Sequence, residues 1–223
     1  MKRITVLFLF VVWAFSSFGQ NSFLQRPNQD NFVLKTNPFT VLVGPLFPFS
    51  SQYGLSAEFV HGVSQSSSLS AAYLGKWIFF DEVNQGAAVP VNIDNWIFRG
   101  FRFQLCHRFY LFRSVEKSKL APSGPYIGPH LSFASMRITD PFLNQFQTYL
   151  TGVEFNTILQ FGYQLDFFGL YLDANFGLGY KKNYWQETQG LQTRSIPLDD
   201  LGFGEFYQNN LKIHFGFETG FAF

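Results

Sequence analysis

Val153-Glu154-Phe155-Asn156-Thr157-Ile158-Leu159-Gln160-Phe161-Gly162-Tyr163-Gln164-Leu165-Asp166-Phe167 repeats with a period of two. The odd positions are bulky and apolar apart from Thr157; Glu154, Asn156, Ile158, Gln160, Gly162, Gln164 and Asp166 fill the even ones. Successive side chains of an extended chain point to opposite faces, so the two sets occupy the two faces of one strand. Just downstream, Leu170, Leu172, Ala174, Phe176, Leu178 and Tyr180 alternate with Tyr171, Asp173, Asn175, Gly177, Gly179 and Lys181. Phe168-Gly169, between the two segments, reads as a tight hairpin.

The same period recurs outward from this pair. Leu211, Ile213, Phe215, Phe217, Phe221 and Phe223 oppose Lys212, His214, Gly216, Glu218, Gly220 and Ala222, with Thr219 as the single interruption. Tyr53, Leu55, Ala57 and Phe59 alternate with Gly54, Ser56 and Glu58, and Leu69, Ala71, Tyr73 and Trp77 with Ser68, Ser70, Ala72 and Lys76. Phe101, Phe103, Leu105, Phe109 and Leu111 oppose Arg102, Gln104, Cys106, Arg108 and Tyr110. Two weaker segments lie at about 33–44, broken by Pro38, and about 125–138, with Ile127, Leu131 and Phe133 on its apolar face. Eight strands result, and no stretch of helical period competes with them.

Which face is buried sets the class. A soluble barrel or sandwich confines its apolar face to a limited interior, whereas lipid accommodates bulky rings freely. Here the apolar face is mainly Phe, Tyr and Leu, in a chain with 31 Phe and 20% aromatic residues. The other face is rich in Gly, Ser, Ala and Gln. Its charges are five acids, Glu58, Glu154, Asp166, Asp173 and Glu218, and five bases, Lys76, Arg102, Arg108, Lys181 and Lys212. Equal numbers suit an enclosed lumen in which each charge needs a partner. The expectation is an eight-stranded antiparallel transmembrane β-barrel, apolar outside and polar within, whose narrow interior is filled by side chains and leaves no continuous pore. Long connections near 45–52, 79–95, 139–149 and 182–208 alternate with mostly shorter ones near 62–67, 112–124 and 168–169, as in outer-membrane barrels with long extracellular loops.

Residues 1–19 read as a cleaved secretory signal: Lys2 and Arg3 precede a short apolar run, and Ser17-Phe18-Gly19 supplies small residues before Gln20. The barrel then occupies 20–223. The apolar run is too short to span a bilayer, and no Cys follows it to carry a lipid anchor. With 16 Lys and Arg against 15 Asp and Glu, the chain has no charge excess to attract nucleic acid. The single Cys, Cys106, can form neither an internal disulfide nor a cysteine-based metal site. Nothing in the pattern calls for a metal or other cofactor.

The Gly-Gln at the end of the leader, the opening Val33-Leu34-Lys35-Thr36-Asn37-Pro38 and the terminal Phe215-x-Phe217-x-Thr219-x-Phe221-x-Phe223 resemble the small outer-membrane β-barrel proteins of Gram-negative bacteria. The resemblance is one of pattern and covers the whole mature chain. It implies an address in the bacterial outer membrane, contact with outer-membrane lipid, and a final strand, marked by Phe215, Phe217, Phe221 and Phe223, that the barrel-assembly machinery reads. It also implies a structural or surface-interaction role, with a ligand outside the cell met by the long loops.

Some members of that family are enzymes, and His130-Leu131-Ser132 is similar to the His-x-Ser of the lipid A deacylases. Period two places His130 and Ser132 on one face, as a base and nucleophile require, although Phe133 stands where that class has Asn. A lipid A-modifying enzyme is therefore the alternative, and a soluble lipocalin-like carrier a more distant one. Other features read as bland. Gly202-Phe203-Gly204 lacks the context of a phosphate loop, and Asp199-Asp200 reads as a solvated pair. Trp77, Trp96, Tyr180, Tyr184 and Trp185 fit an interfacial aromatic girdle, with carbohydrate stacking at Trp185 ranked below it. His61 and His214 form no dyad on spacing, and His107 falls on the lipid face, where only a bulge or a shift of register would explain it.

Overall fold

The computed structural model describes residues 32–42, 50–61, 64–76, 96–111, 123–139, 148–167, 170–196 and 209–222. Along the chain these form β1 (Phe32–Thr36), a 3-10 turn η1 (Pro38–Val41), β2 (Ser50–Val60), β3 (Gln65–Lys76), β4 (Ile97–Tyr110), β5 (Gly124–Thr139), β6 (Thr148–Phe167), β7 (Leu170–Gln189), β8 (Gln192–Ser195) and β9 (Leu211–Ala222). Each wall strand pairs antiparallel with the next, β7 pairs with β9, and β9 returns to β1. The result is a closed eight-stranded antiparallel barrel, with β8 a short addition folded back on β7. Closure gives every wall strand a partner on both sides over at least part of its length, which limits the sheet edge left in an apolar medium.

Two boundaries differ from the sequence reading. The first strand stops at Thr36, because Pro38 supplies no backbone N–H for a ladder and instead opens η1, capped by the Asn37 carboxamide oxygen, which accepts from Phe39 N at 3.1 Å. The seventh strand runs on to Gln189, so 182–189 belong to the wall and its extension and not to a loop. β6 and β7 stay in register down to Phe167 opposite Leu170. Residues 168 and 169, the leader 1–19, Trp77, Asp199-Asp200, Gly202-Phe203-Gly204 and Phe223 lie outside the described residues.

The two faces divide as the alternation requires. Along β6, Phe155, Leu159, Phe161, Tyr163, Leu165 and Phe167 are exposed while Glu154, Asn156, Ile158, Gln160 and Gln164 are buried. On β9, Phe215 is 75% exposed and Phe221 59%, far more apolar surface than a water-soluble exterior tolerates. Phe101, Phe133 and Phe155 touch in series across β4, β5 and β6, with centroids 5.8 and 4.9 Å apart. No described helix is long and apolar enough to cross a membrane; here the strands are the elements of sufficient length.

His107 needs neither a bulge nor a shift. Its register with β3 is continuous, opposite Ser67, whose hydroxyl lies 2.8 Å from Nδ1. The β4–β5 pairing lapses at residues 107 and 108, opposite Gly128 and Pro129, where proline has no N–H to give. The ring remains on the outer face, sheltered by Phe109 and His61 and only 5% exposed.

Candidate functional site

The barrel has a terminal end, with residues 32 and 222 and the connections after β2, β4 and β6, and a loop end opposite. Near the terminal end the lumen holds a dense ionic cluster. Lys35 on β1 lies 2.5 Å from Glu58 and 3.1 Å from Asp173; Arg108 lies 2.9 Å from Glu58, 2.8 Å from Asp173 and 3.1 Å from Glu218. Ser66 and Tyr110 donate to Glu58 at 2.5 and 3.0 Å, and Tyr126 donates to Asp173 at 2.6 Å. Buried carboxylates survive only when their lone pairs are occupied, and these are. The Tyr126 ring fits because residue 162 is Gly: a Cβ there would collide with the phenol.

Midway up, His130 sits between two glutamines, Nδ1 at 2.8 Å from Gln160 Oε1 and Nε2 at 3.0 Å from Gln104 Nε2. Cys106 donates to Gln160 Oε1 at 3.4 Å, and His214 packs edge-on against His130 with centroids 5.2 Å apart. Ser132 accepts from Arg102 Nε at 2.8 Å. His130 and Ser132 share the inner face, as period two requires, yet neither bonds the other: both imidazole nitrogens face glutamine and the hydroxyl oxygen faces a guanidinium. The geometry of a base drawing a proton from a nucleophile is not present.

Toward the loop end Arg102 also donates to Gln52 Oε1 at 2.8 Å, and Lys212 meets Glu154 at 3.0 Å, where Asn156 donates to the same carboxylate at 2.6 Å. Lys181 is on this inner face, 6% exposed. Lys76 and Asp166, also on inward positions, are half-buried near opposite ends. Above these charges Leu74, Phe98, Ala134, Met136, Ile138 and Trp185 form an apolar plug across the lumen, with Trp96 and Leu150 packed on it. Trp185 is thus 2% exposed inside the barrel, seated over Gly152, and belongs neither to an outer girdle nor to a carbohydrate-stacking surface. Tyr180 and Tyr184 do face outward, 52% and 48% exposed.

Lys35, Tyr110, Tyr126 and Gln164 join the network although the alternation does not single them out as members. Lys35 is hard to find because its strand alternates for only five residues before Pro38; its even spacing from buried Val33 is the available signal. Among the described residues no group of three or more His, Cys, Asp and Glu is placed to hold a metal.

No protein-family model matches the chain, and no curated protein matches it significantly. Among solved structures, a major outer membrane protein from Thermus thermophilus is similar over 86% of this chain and 98% of its own, with 16% identity and a TM-score of 0.41. So remote a likeness says nothing of activity. The fold is that of an outer-membrane-type β-barrel, a conclusion that stands on the chain's own inside-out partition and closed strand order.

Proposed function

We propose that the mature chain, freed of residues 1–19, is an integral protein of the outer membrane of a Gram-negative bacterium, with a structural or surface-interaction role and no open pore. The observation that carries this reading is the lumen: an ion-paired cluster fills the terminal end and an apolar plug the loop end. The space between them is about 40 Å³, room for a few waters. A lumen filled with paired charges also disfavours a lipocalin-like carrier, whose interior would have to be apolar. In this reading the aromatic series ending β9, with Phe223, addresses the barrel-assembly machinery, outer-membrane lipid covers the apolar face, and the loop end meets ligands outside the cell.

Fractionation tests the proposal. The protein should stay with outer membranes through a carbonate wash, migrate faster on gels before boiling than after, and give no ion conductance in planar bilayers. Recovery in the soluble periplasm would overturn the location, and steady conductance would overturn the closed lumen.

A further inference from the structure

Besides the two-residue lapse between β4 and β5, the described wall is broken along a longer seam. β1 pairs with β9 only from Val33 opposite Ala222 to Thr36 opposite Thr219. Over 211–218, β9 pairs with β7 alone. η1 stands where β1 would have continued, but its described hydrogen bonds to the wall go to β2: Thr40 Oγ1 to Gln52 O at 3.1 Å, and Ser51 Oγ to Val41 O at 2.6 Å. Toward β9 it offers the ring of Phe39, edge-on to Phe217 with centroids 5.5 Å apart. A groove of about 670 Å³ follows this seam, within the roughly 300–1,000 Å³ of small-molecule clefts.

The groove is amphipathic across the wall. Its outer part is lined by Phe39, Leu42, Ile213, Phe215 and Phe217; its inner part reaches Arg102, Lys212, His214 and Asn175. Arg102, His214 and Asn175 line the lumenal cavity as well, so the two spaces share a wall. One buried group at the inner end points to a missing partner. Arg102, 5% exposed, is held by the neutral groups Ser132 and Gln52, with no carboxylate in ion-pair contact among the described residues. A buried cation whose direct partners are all neutral, with Glu154 acting on it only from beyond ion-pair contact, is costly, and an anion entering by the groove would meet it directly.

We infer that the seam between η1 and β9 binds a single-chain anionic amphiphile of the fatty-acid class, its head on Arg102 inside the wall and its chain against Phe39, Phe215 and Phe217 outside. The lumenal cavity is too small for the chain, and the groove is open on the side that faces lipid. This inference stands apart from the structural role proposed above, which needs no ligand.

The test uses the folded full-length mature protein in nanodiscs of zwitterionic phosphatidylcholine, with a palmitate carrying a mid-chain diazirine as probe and the matching fatty alcohol as control. After irradiation, peptide mapping should place the acid's label on 36–42 and 211–217, with at least about tenfold more label than the alcohol gives, the factor one charge-assisted hydrogen bond carries. Arg102→Gln should remove that preference and Arg102→Lys should keep most of it. Label spread evenly over the outer apolar face, or equal labelling by acid and alcohol, would overturn the inference. Absence of label from the seam, as when the chain itself or a second copy covers it, would do the same. Should Arg102→Gln fail to fold, the acid-to-alcohol comparison on the unsubstituted protein still decides.

Discussion

The terminal half of the lumen holds a cluster of two cations, Lys35 and Arg108, and three carboxylates, Glu58, Asp173 and Glu218, every one of them in an ion pair of 3.1 Å or less, with Asp166 half-buried toward the rim. The loop half holds Arg102, Lys181 and Lys212 around Glu154, which pairs with Lys212 at 3.0 Å, and Lys76 half-buried nearer the loop end. The two regions lie in the same narrow tube on the same strands. In the first, each charge is answered by its neighbours and the tube is sealed; in the second, cations outnumber anions and the wall beside them is breached at η1. Overall charge balance along the polar face therefore conceals a segregation along the barrel axis, and segregation is what separates a purely structural interior from one that can receive an anion.

The sharpest way to break this comparison is to remove one cation from each half. Arg108→Ala leaves three carboxylates with Lys35 alone and should lower stability by about 3–5 kcal/mol, as removal of one partner of a buried ionic network does. Arg102→Ala strands only neutral groups and should lose about 1–3 kcal/mol. Urea titration of the folded, heat-modifiable fraction measures both. A loss at Arg102 equal to that at Arg108 would show that the halves are not energetically distinct.

The next effect concerns the wall that both halves share. Phe161 is 44% exposed on the outer face, and Phe161→Arg near the bilayer midplane should cost about 2–4 kcal/mol. Ser70→Gln, by contrast, enters the lumenal cavity, which Ser70 lines, and should leave assembly nearly intact. Comparable assembly defects in the two variants would mean that the outer face does not meet lipid.

The smallest effect lies beyond the apolar band, on the β7–β8 hairpin. Arg194 donates to Glu187 at 2.8 Å and is 76% exposed, so Arg194→Ala should change stability by less than about 1 kcal/mol. Hydrogen bonds from Gln189 and Arg194 hold the Glu187 carboxyl below the usual glutamate range. Its small contribution is therefore complete above that range and is lost as the pH falls through the depressed value. Amide exchange of 192–195 as a function of pH, corrected for the intrinsic pH dependence of exchange, would show it; lower protection at neutral pH than at acid pH would contradict the pairing.

Much of this is readable from alternation alone. Period two locates the wall strands and assigns Phe161 and Gln160 to opposite faces, because side-chain direction depends only on parity. Longitudinal placement depends on register and tilt, which parity does not carry, so Glu58 and Arg108 can be put on one face but not into contact. The plug is similarly obscured. Leu74, Phe98, Met136, Ile138 and Trp185 all fall at inward parity near the loop end, and apolar residues at positions otherwise polar are the trace of such a plug. The residue type of Trp185 argues for an outward position, and its parity gives the better answer. At His130 and Ser132 the spacing is right for a shared face, but the neighbouring Gln104, Gln160 and Arg102 come from other strands and occupy the bonds a dyad would need.

The short ladder between β1 and β9 has a kinetic meaning. Its partners, such as Val33 and Ala222, lie at opposite ends of the chain, and pairing them closes a loop that contains every other strand. Such a contact is the entropically most expensive to form early, and with four residue pairs it gains the least ladder in return. The remaining strands can assemble by successive antiparallel hairpins, so the tube should exist first as a curved open sheet and become a barrel in one final zippering. The same joint, read in reverse, is where the finished barrel should first come undone: under mechanical load or in native-state amide exchange, 33–36 should open before the interior of β6.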